Sequence, residues 1–216
     1  MQTQLIIAIL AVATLAAAIR AAGAFRFYTL VRAYAASALF LGLLVACLGA
    51  ARHQQELYWL AAIAILIKTV IIPRVIVSAA ERTGMSMRLS SSLRPSSTYL
   101  MILVIVGIMT AVAVRSPFAA GADPWYLLIV AVVMVVVGFA MMVMRRDLLS
   151  QVMGFLVMEN GIAAFSFAVI RDLPFLVEVG ILMTLTVGIV LMGTVSKRVR
   201  ELYGTENTQA LSELTD

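Results

Sequence analysis

Three ionisable residues lie within stretches of the sequence that are otherwise apolar: Lys68, Glu159 and Glu178. A charge at the centre of a bilayer costs roughly 2.5–3.5 kcal/mol on insertion scales. Such residues must therefore face protein or water, pair with each other, or be neutral part of the time. Because a side chain that loses and regains its charge can carry a proton, we predict that these three residues form a proton pathway.

Glu159 lies near the middle of an apolar segment, in the sequence MGFLVMENG, and Asn160 adds a second polar group beside it. Burial disfavours the charged form of a carboxyl, so this glutamate could load and release a proton at physiological pH. Gly154 and Gly161 are seven residues apart, share one helix face and permit close approach of another helix. The alternative is a structural carboxylic acid, protonated and hydrogen-bonded to a neighbouring helix.

Lys68 lies in the sequence LIKTVIIPR, five residues before Pro73. A buried lysine can switch between charged and neutral forms. Pro73 removes a backbone donor and leaves the Thr69 carbonyl without its helical partner, which predicts a helix kink beside a cavity or a protein contact. We predict an ion-handling site at Lys68; the alternatives are a structural Lys–Glu pair or a side chain that reaches the inner interface.

Glu178 comes early in the last apolar segment, after a tight turn at residues 171–174. With a helical rise of about 1.5 Å per residue, Glu178 is expected roughly 8–9 Å closer to the outer surface than Glu159. The two carboxylates could form steps of a relay if water bridges them. The alternative for Glu178 is an ion pair with Arg171 near the interface.

The composition excludes several other kinds of protein. Hydrophobic residues make up 63% of the chain and charged residues only 12%, whereas a soluble domain is roughly half apolar and one quarter charged. Cys47 is the only cysteine and His53 the only histidine, which excludes an internal disulfide, a cysteine-ligated cluster or zinc site, and a di-histidine metal or haem site. We interpret His53 as a solvated loop residue.

Seven segments are long and apolar enough to span a bilayer, which predicts an all-α polytopic membrane protein. The segments are 3–21, 28–50, 57–80, 98–115, 124–144, 148–170 and 173–196. We expect the first to be a retained helix rather than a signal peptide, because no basic region precedes it. The predicted regions are helices 1–3 with a basic loop (1–97), helices 4–7 (98–196) and a polar tail (197–216).

The distribution of lysine and arginine predicts the orientation of these spans. One side of the membrane collects most of them, and the positive-inside rule makes that side cytoplasmic. The residues on that side are Arg20, Arg26, Arg32, Arg74, Arg82, Arg88, Arg94, Arg145, Arg146, Lys197, Arg198 and Arg200. The N-terminus is then outside and the C-terminus cytoplasmic, in the cell (inner) membrane.

Four sequence stretches resemble one family of membrane proteins: LIKTVIIPR, RRDLLSQVMGFLVMENG, LPFLVEVG and the tail beginning YGTENTQALSEL. Through them the chain resembles component E of hydrogenase-4, a membrane subunit of complex I-related energy-converting hydrogenases and formate hydrogenlyases. Its last three spans are similar to the three-helix subunit of complex I and of multisubunit cation/proton antiporters.

The resemblance implies roles for particular residues. In the three-helix subunit, glutamates on neighbouring helices belong to the proton path; Glu159 matches the mid-helix glutamate and Glu178 is a looser match. Family members often carry an acidic residue about where this chain has Thr184, so one proton-carrying group is absent here if that alignment holds. Asn160 and Thr184 are then supporting polar groups.

The function implied is that of a non-redox membrane subunit that links a membrane-anchored redox module to antiporter-like pumping subunits. This chain would bind no cofactor, and the nickel–iron and iron–sulfur centres would belong to partner subunits. An independent secondary transporter is an alternative, although it would usually show internal repeats or paired broken helices. A passive membrane scaffold is another, but it would not need Glu159 or Lys68 at mid-depth.

The topology can be tested in the longest loop, residues 81–97. Reporter fusions or cysteine labelling just after Arg94 should place this loop in the cytoplasm, because it carries several of the basic residues that set the orientation. Labelling by an impermeant reagent from outside the cell would overturn the assignment.

Overall fold

The computed structural model describes residues 2–82, 95–115, 125–145 and 147–169, together with Gly180 and Gly188. The predicted seventh span, including Glu178 and Thr184, and the polar tail lie outside the described residues. Within the described part of the chain the structure is helical and contains no β-strand, as the sequence predicts.

Seven α-helices and one π-helix make up the described chain. They are α1 (Gln2–Ala22), α2 (Phe27–Arg52), α3 (Glu56–Ile65), a π-helix (Leu66–Ile71), α4 (Ile72–Arg82), α5 (Pro95–Arg115), α6 (Trp125–Met144) and α7 (Leu148–Val169). The segment α3–π-helix–α4 forms one span, so six helical rods are long and apolar enough to cross a membrane. Six of the seven predicted spans are thus found, and the largest boundary difference is that between the predicted 98 and the observed Pro95.

The tightest packing in the described chain joins α6 to α7. A Cβ on Gly154 would lie 2.9 Å from the Gly138 carbonyl oxygen, and one on Gly161 would lie 2.7 Å from the Val135 amide nitrogen. A Cβ on Gly138 would collide with the Met158 backbone. The two helices therefore approach to backbone contact, and the close approach predicted from Gly154 and Gly161 is confirmed. This hairpin holds the helix that carries Glu159.

The helices differ in how much of their surface the protein covers. In α2, α6 and α7 more than half of the membrane-span residues are buried by protein, whereas the third span and α5 bury only 17% each. The centre of the protein is accordingly formed by α2, α6 and α7, and α1 packs on α2 and α6. Lys68 reaches this centre from the third span, which lies at its edge.

Arg145, just after α6, is a buried basic residue. The sequence places it with the basic residues of the predicted cytoplasmic side, and in the structure it is only 3% exposed. Its Nη2 donates hydrogen bonds to the carbonyl oxygens of Ala22 at 2.8 Å and Ala24 at 2.6 Å. These carbonyls lie at the C-terminal end of α1, where a cation is favoured. Burial lowers the pKa of Arg145, and Asp147 opposes this effect.

At the opposite end of the protein, the end of α2 is hydrogen-bonded to the end of α7. Arg52 donates from Nη2 to the Phe167 carbonyl oxygen at 3.0 Å, which ties the end of α2 to the end of α7. His53 caps α2 with a left-handed backbone, φ 54°. Its side chain is exposed, which confirms the interpretation of His53 as a loop residue.

The glycine contacts predict that the same substitution, glycine to valine, destabilises the protein at one position and not at another. Gly154→Val should destabilise the protein by about 1–3 kcal/mol, because overpacking forces the α6–α7 backbones apart. Gly107→Val is the matched control, since a Cβ on Gly107 meets no atom within 4 Å. Thermal unfolding of the purified variants in detergent measures both effects, and equal midpoints would contradict the packing account.

Candidate functional site

Lys68 and Glu159, predicted separately as mid-depth ionisable residues, form one buried ion pair. Lys68 Nζ lies 2.6 Å from Glu159 Oε1 and 2.6 Å from Oε2. The two side chains are only 9% and 4% exposed. Because the residues are 91 positions apart in sequence, the pair joins the third span to α7 through the protein interior.

Asn160 completes the environment of the ammonium group. Its Oδ1 accepts a hydrogen bond from Lys68 Nζ at 3.1 Å. An ammonium has three N–H donors, and the two carboxylate oxygens and this amide oxygen supply three acceptors. Among the described residues, no hydrogen-bond partner reaches the other end of the amide, Asn160 Nδ2.

The third span is widened where it carries Lys68. The π-helix Leu66–Ile71 surrounds this residue, and the Ile72 amide donates to the Ile67 carbonyl, five residues back. The sequence predicts a kink at Pro73; the structure places the irregular turn just before the proline. A proline ring clashes with the carbonyl four residues earlier and brings no donor to it, and a wider turn relieves both problems. Single π-helical turns often occur at functional sites.

Tyr34 of α2 is a further buried polar residue in this part of the protein, and nothing in the sequence singles it out. The residue is 0% exposed, and α2 packs against both α7 and the π-helix. Its hydroxyl has no hydrogen-bond partner among the residues that the structure describes. The sequence shows only a tyrosine inside the apolar stretch of α2, which is easily mistaken for a packing residue.

The predicted seventh span approaches Glu159 at Gly180. A Cβ built on Gly180 would lie 3.5 Å from Glu159 Oε1, an ordinary van der Waals distance. The same carboxylate oxygen thus contacts Lys68 and lies near Gly180. Whether Glu178 and Thr184 join this site is a prediction that falls outside the described residues.

The chemistry open to this arrangement is proton exchange. Two charges in an apolar interior lose their hydration and are held there by mutual attraction and hydrogen bonds. The same pair is electrically balanced when a proton has passed from lysine to glutamate, since both groups are then neutral. In the described part of the chain, no group of three or more His, Cys, Asp or Glu side chains could hold a metal ion.

Comparison with known proteins agrees with the resemblance predicted from the motifs. Residues 126–216 match the family NADH-ubiquinone/plastoquinone oxidoreductase chain 4L. Hydrogenase-4 component E of Escherichia coli is 27% identical over 172 residues, which cover 79% of this chain and 77% of that protein. The predicted similarity to the hydrogenase-4 component E family is thereby confirmed.

A second relative matches a shorter part of the chain. An uncharacterized protein of Mycobacterium tuberculosis is 31% identical over 86 residues, which cover 40% of this chain and 39% of that protein. The matched region is thus less than half of the mycobacterial protein's length. No solved structure gives a significant match.

The ion pair predicts an order of stability among three variants. Lys68→Met should lower the amount of protein in the membrane, because a buried charge left without its partner costs about 3–5 kcal/mol. The double variant Lys68→Met/Glu159→Gln removes both charges and should recover most of that loss. Glu159→Gln alone should stay near the wild-type level, since glutamine still offers Lys68 an acceptor oxygen and the lysine can lose its proton.

Blotting of isolated membranes and thermal unfolding in detergent measure the order. A double variant no more abundant than Lys68→Met would show that the two residues do not act as a pair.

Proposed function

We propose that this chain, a multi-pass membrane protein related to hydrogenase-4 component E, is the non-redox membrane subunit of a complex I-like, energy-converting hydrogenase-type complex. In this proposal the Lys68–Glu159 pair is one step of a proton translocation pathway. The observation that carries the proposal is the buried contact of 2.6 Å between Lys68 and Glu159. Glu159 stands on α7, which lies in the region that matches chain 4L.

The proposed step moves one proton past the pair. Lys68 releases a proton to one side of the membrane and becomes neutral, which leaves the Glu159 carboxylate uncompensated. Glu159 then takes up a proton from the other side. Transfer of that proton from the Glu159 carboxyl to the Lys68 amine restores the ion pair. The hydrogen-bond distance of 2.6 Å is within the reach that direct proton transfer needs.

Glu178 and Thr184 complete the proposed pathway. Glu178 would exchange protons with Glu159 through water, as the resemblance implies for glutamates on neighbouring helices. Thr184 would support this path with a polar but non-titrating side chain. Glu178 lies two residues before Gly180 in the sequence, and Gly180 is the point at which that span approaches Glu159.

The redox chemistry of the complex belongs to other subunits in this proposal. With one cysteine and one histidine, the chain lacks a ligand set for a nickel–iron or iron–sulfur centre. Its partners would be a membrane-anchored hydrogenase module and antiporter-like membrane subunits. The exposed apolar surfaces of the third span and α5 are available for these subunits and for lipid. The N-terminus would lie outside and the C-terminus in the cytoplasm.

One observation favours a passive scaffold as the second candidate. All three donors of the Lys68 ammonium have acceptors, which is also what a purely structural Lys–Glu pair requires. A scaffold would keep this pair charged at all times. The two candidates therefore differ in whether Glu159 must titrate.

Replacement of Glu159 by glutamine distinguishes the proton pathway from the passive scaffold. Glu159→Gln keeps the shape and an acceptor for Lys68 but cannot release a proton. We expect an assembled complex with near-normal redox turnover on an artificial acceptor, whereas proton translocation into inverted membrane vesicles falls by roughly 10²-fold or more, the usual contribution of a positioned proton-transfer group. Glu159→Asp should be milder, because it retains a titrating group displaced by about one methylene.

The control is the amount of Glu159→Gln subunit in the purified complex, which must equal that of the wild type. Wild-type coupling in a fully assembled Glu159→Gln complex would remove the proton pathway and leave the scaffold function.

A further inference from the structure

Two buried polar atoms on the helices around the Lys68–Glu159 pair have no hydrogen-bond partner in the described part of the chain. They are the Tyr34 hydroxyl and Asn160 Nδ2, and both residues are 0% exposed. Buried polar atoms in proteins almost always have a partner, either a protein group or an ordered water. Asn160 binds Lys68 through its other amide atom, and Tyr34 stands on α2, which packs against both α7 and the π-helix.

We propose that a bound-water site lies beside the pair, held by Tyr34 and Asn160, and that its water is the group with which Glu159 exchanges protons. The inference rests on the proposed function, because it names the immediate partner of Glu159 in that pathway. Tyr34 is then a positioning residue, which acts on Glu159 through the water that it orients.

The hydrogen-bonding capacities fit water better than an ion. Asn160 Nδ2 can only donate, whereas the Tyr34 hydroxyl can donate or accept, so the ligand must accept a hydrogen bond from Asn160 and can do either with Tyr34. It must also donate to Glu159, whose carboxylate can accept more bonds than the two from Lys68. An anion would be repelled by Glu159, and a metal cation would be opposed by the Asn160 donor. Water both accepts and donates, and buried waters typically make about three hydrogen bonds.

A residue without a side chain also lies near the carboxylate. A Cβ added to Gly180 would lie 3.5 Å from Glu159 Oε1, in van der Waals contact with it. A side chain at this position would therefore extend next to the oxygen that exchanges the proton in this proposal.

Substitution of Tyr34 tests the role of the site in the assembled complex. Tyr34→Phe removes the hydroxyl but keeps the ring, and coupled proton translocation should fall by up to about tenfold, as for the loss of one hydrogen bond. The matched control is Ser37→Ala on the same helix, which removes a buried hydroxyl that is already bonded to the Thr14 carbonyl at 3.1 Å. The control should translocate protons at the wild-type rate.

A spectroscopic readout separates positioning from general stability. Infrared difference spectra between two buffer pH values should contain a water O–H band that shifts in H₂¹⁸O. This band should be present in the wild type and Ser37→Ala and absent in Tyr34→Phe. A band unchanged in assembled Tyr34→Phe, or wild-type translocation by that variant, would overturn the assignment.

The wild-type complex provides a test that needs no variant. X-ray hydroxyl-radical labelling modifies side chains that contact bound water, so Tyr34 should be modified although it is buried. Phe27, a buried aromatic residue on the same helix, should not be. Equal absence of labelling at both residues would overturn the water site. Labelling at Tyr34 together with normal coupling in Glu159→Gln would instead uphold the water site and overturn the proposed proton pathway.

Discussion

A charge within the apolar part of a membrane protein must find its counter-charge in the protein, and the Lys68–Glu159 pair meets this requirement. The remaining architecture follows from it. The third span must approach α7 closely enough for a contact of 2.6 Å, although only 17% of that span is buried by protein. The pair therefore holds a peripheral span against the protein centre. Removal of the Lys68 charge alone would leave a buried carboxylate without its partner.

Glu159 stands on a regular, closely packed helix, whereas Lys68 stands on an irregular helical turn. Glu159 stands on α7, which is fixed by backbone contact with α6 at Gly138, Gly154 and Gly161. Lys68 stands on a π-helical turn followed by Pro73, where the regular ladder of hydrogen bonds is interrupted. A carboxylate on a packed helix opposite a lysine on an irregular turn is compatible with the proposed proton transfer, in which the pair breaks and re-forms while the helices remain packed.

The comparisons and the geometry support one function from different directions. Similarity to hydrogenase-4 component E covers 79% of this chain, and similarity to the chain 4L family covers residues 126–216. Neither similarity identifies a chemical step. The buried pair suggests where such a step would occur, together with the Tyr34 hydroxyl and Asn160 Nδ2, which have no hydrogen-bond partner among the described residues. The clamp formed by Arg145 on the end of α1 is different in kind, because its guanidinium binds backbone carbonyls and does not need to titrate.

Hydropathy and residue type in the sequence were sufficient to determine the six described spans, the placement of Lys68 and Glu159 inside apolar segments, and the glycine face of α7. Each of these depends on local composition or on a helical period, which a single segment reveals. Only the tertiary structure could decide that Lys68 faces Glu159 and that Tyr34 and Arg145 are buried. Those facts depend on the rotation of each helix about its axis and on which helices are neighbours. In spans that are apolar on every side, hydrophobic periodicity does not specify that rotation, so packing and the pairing of buried charges set it.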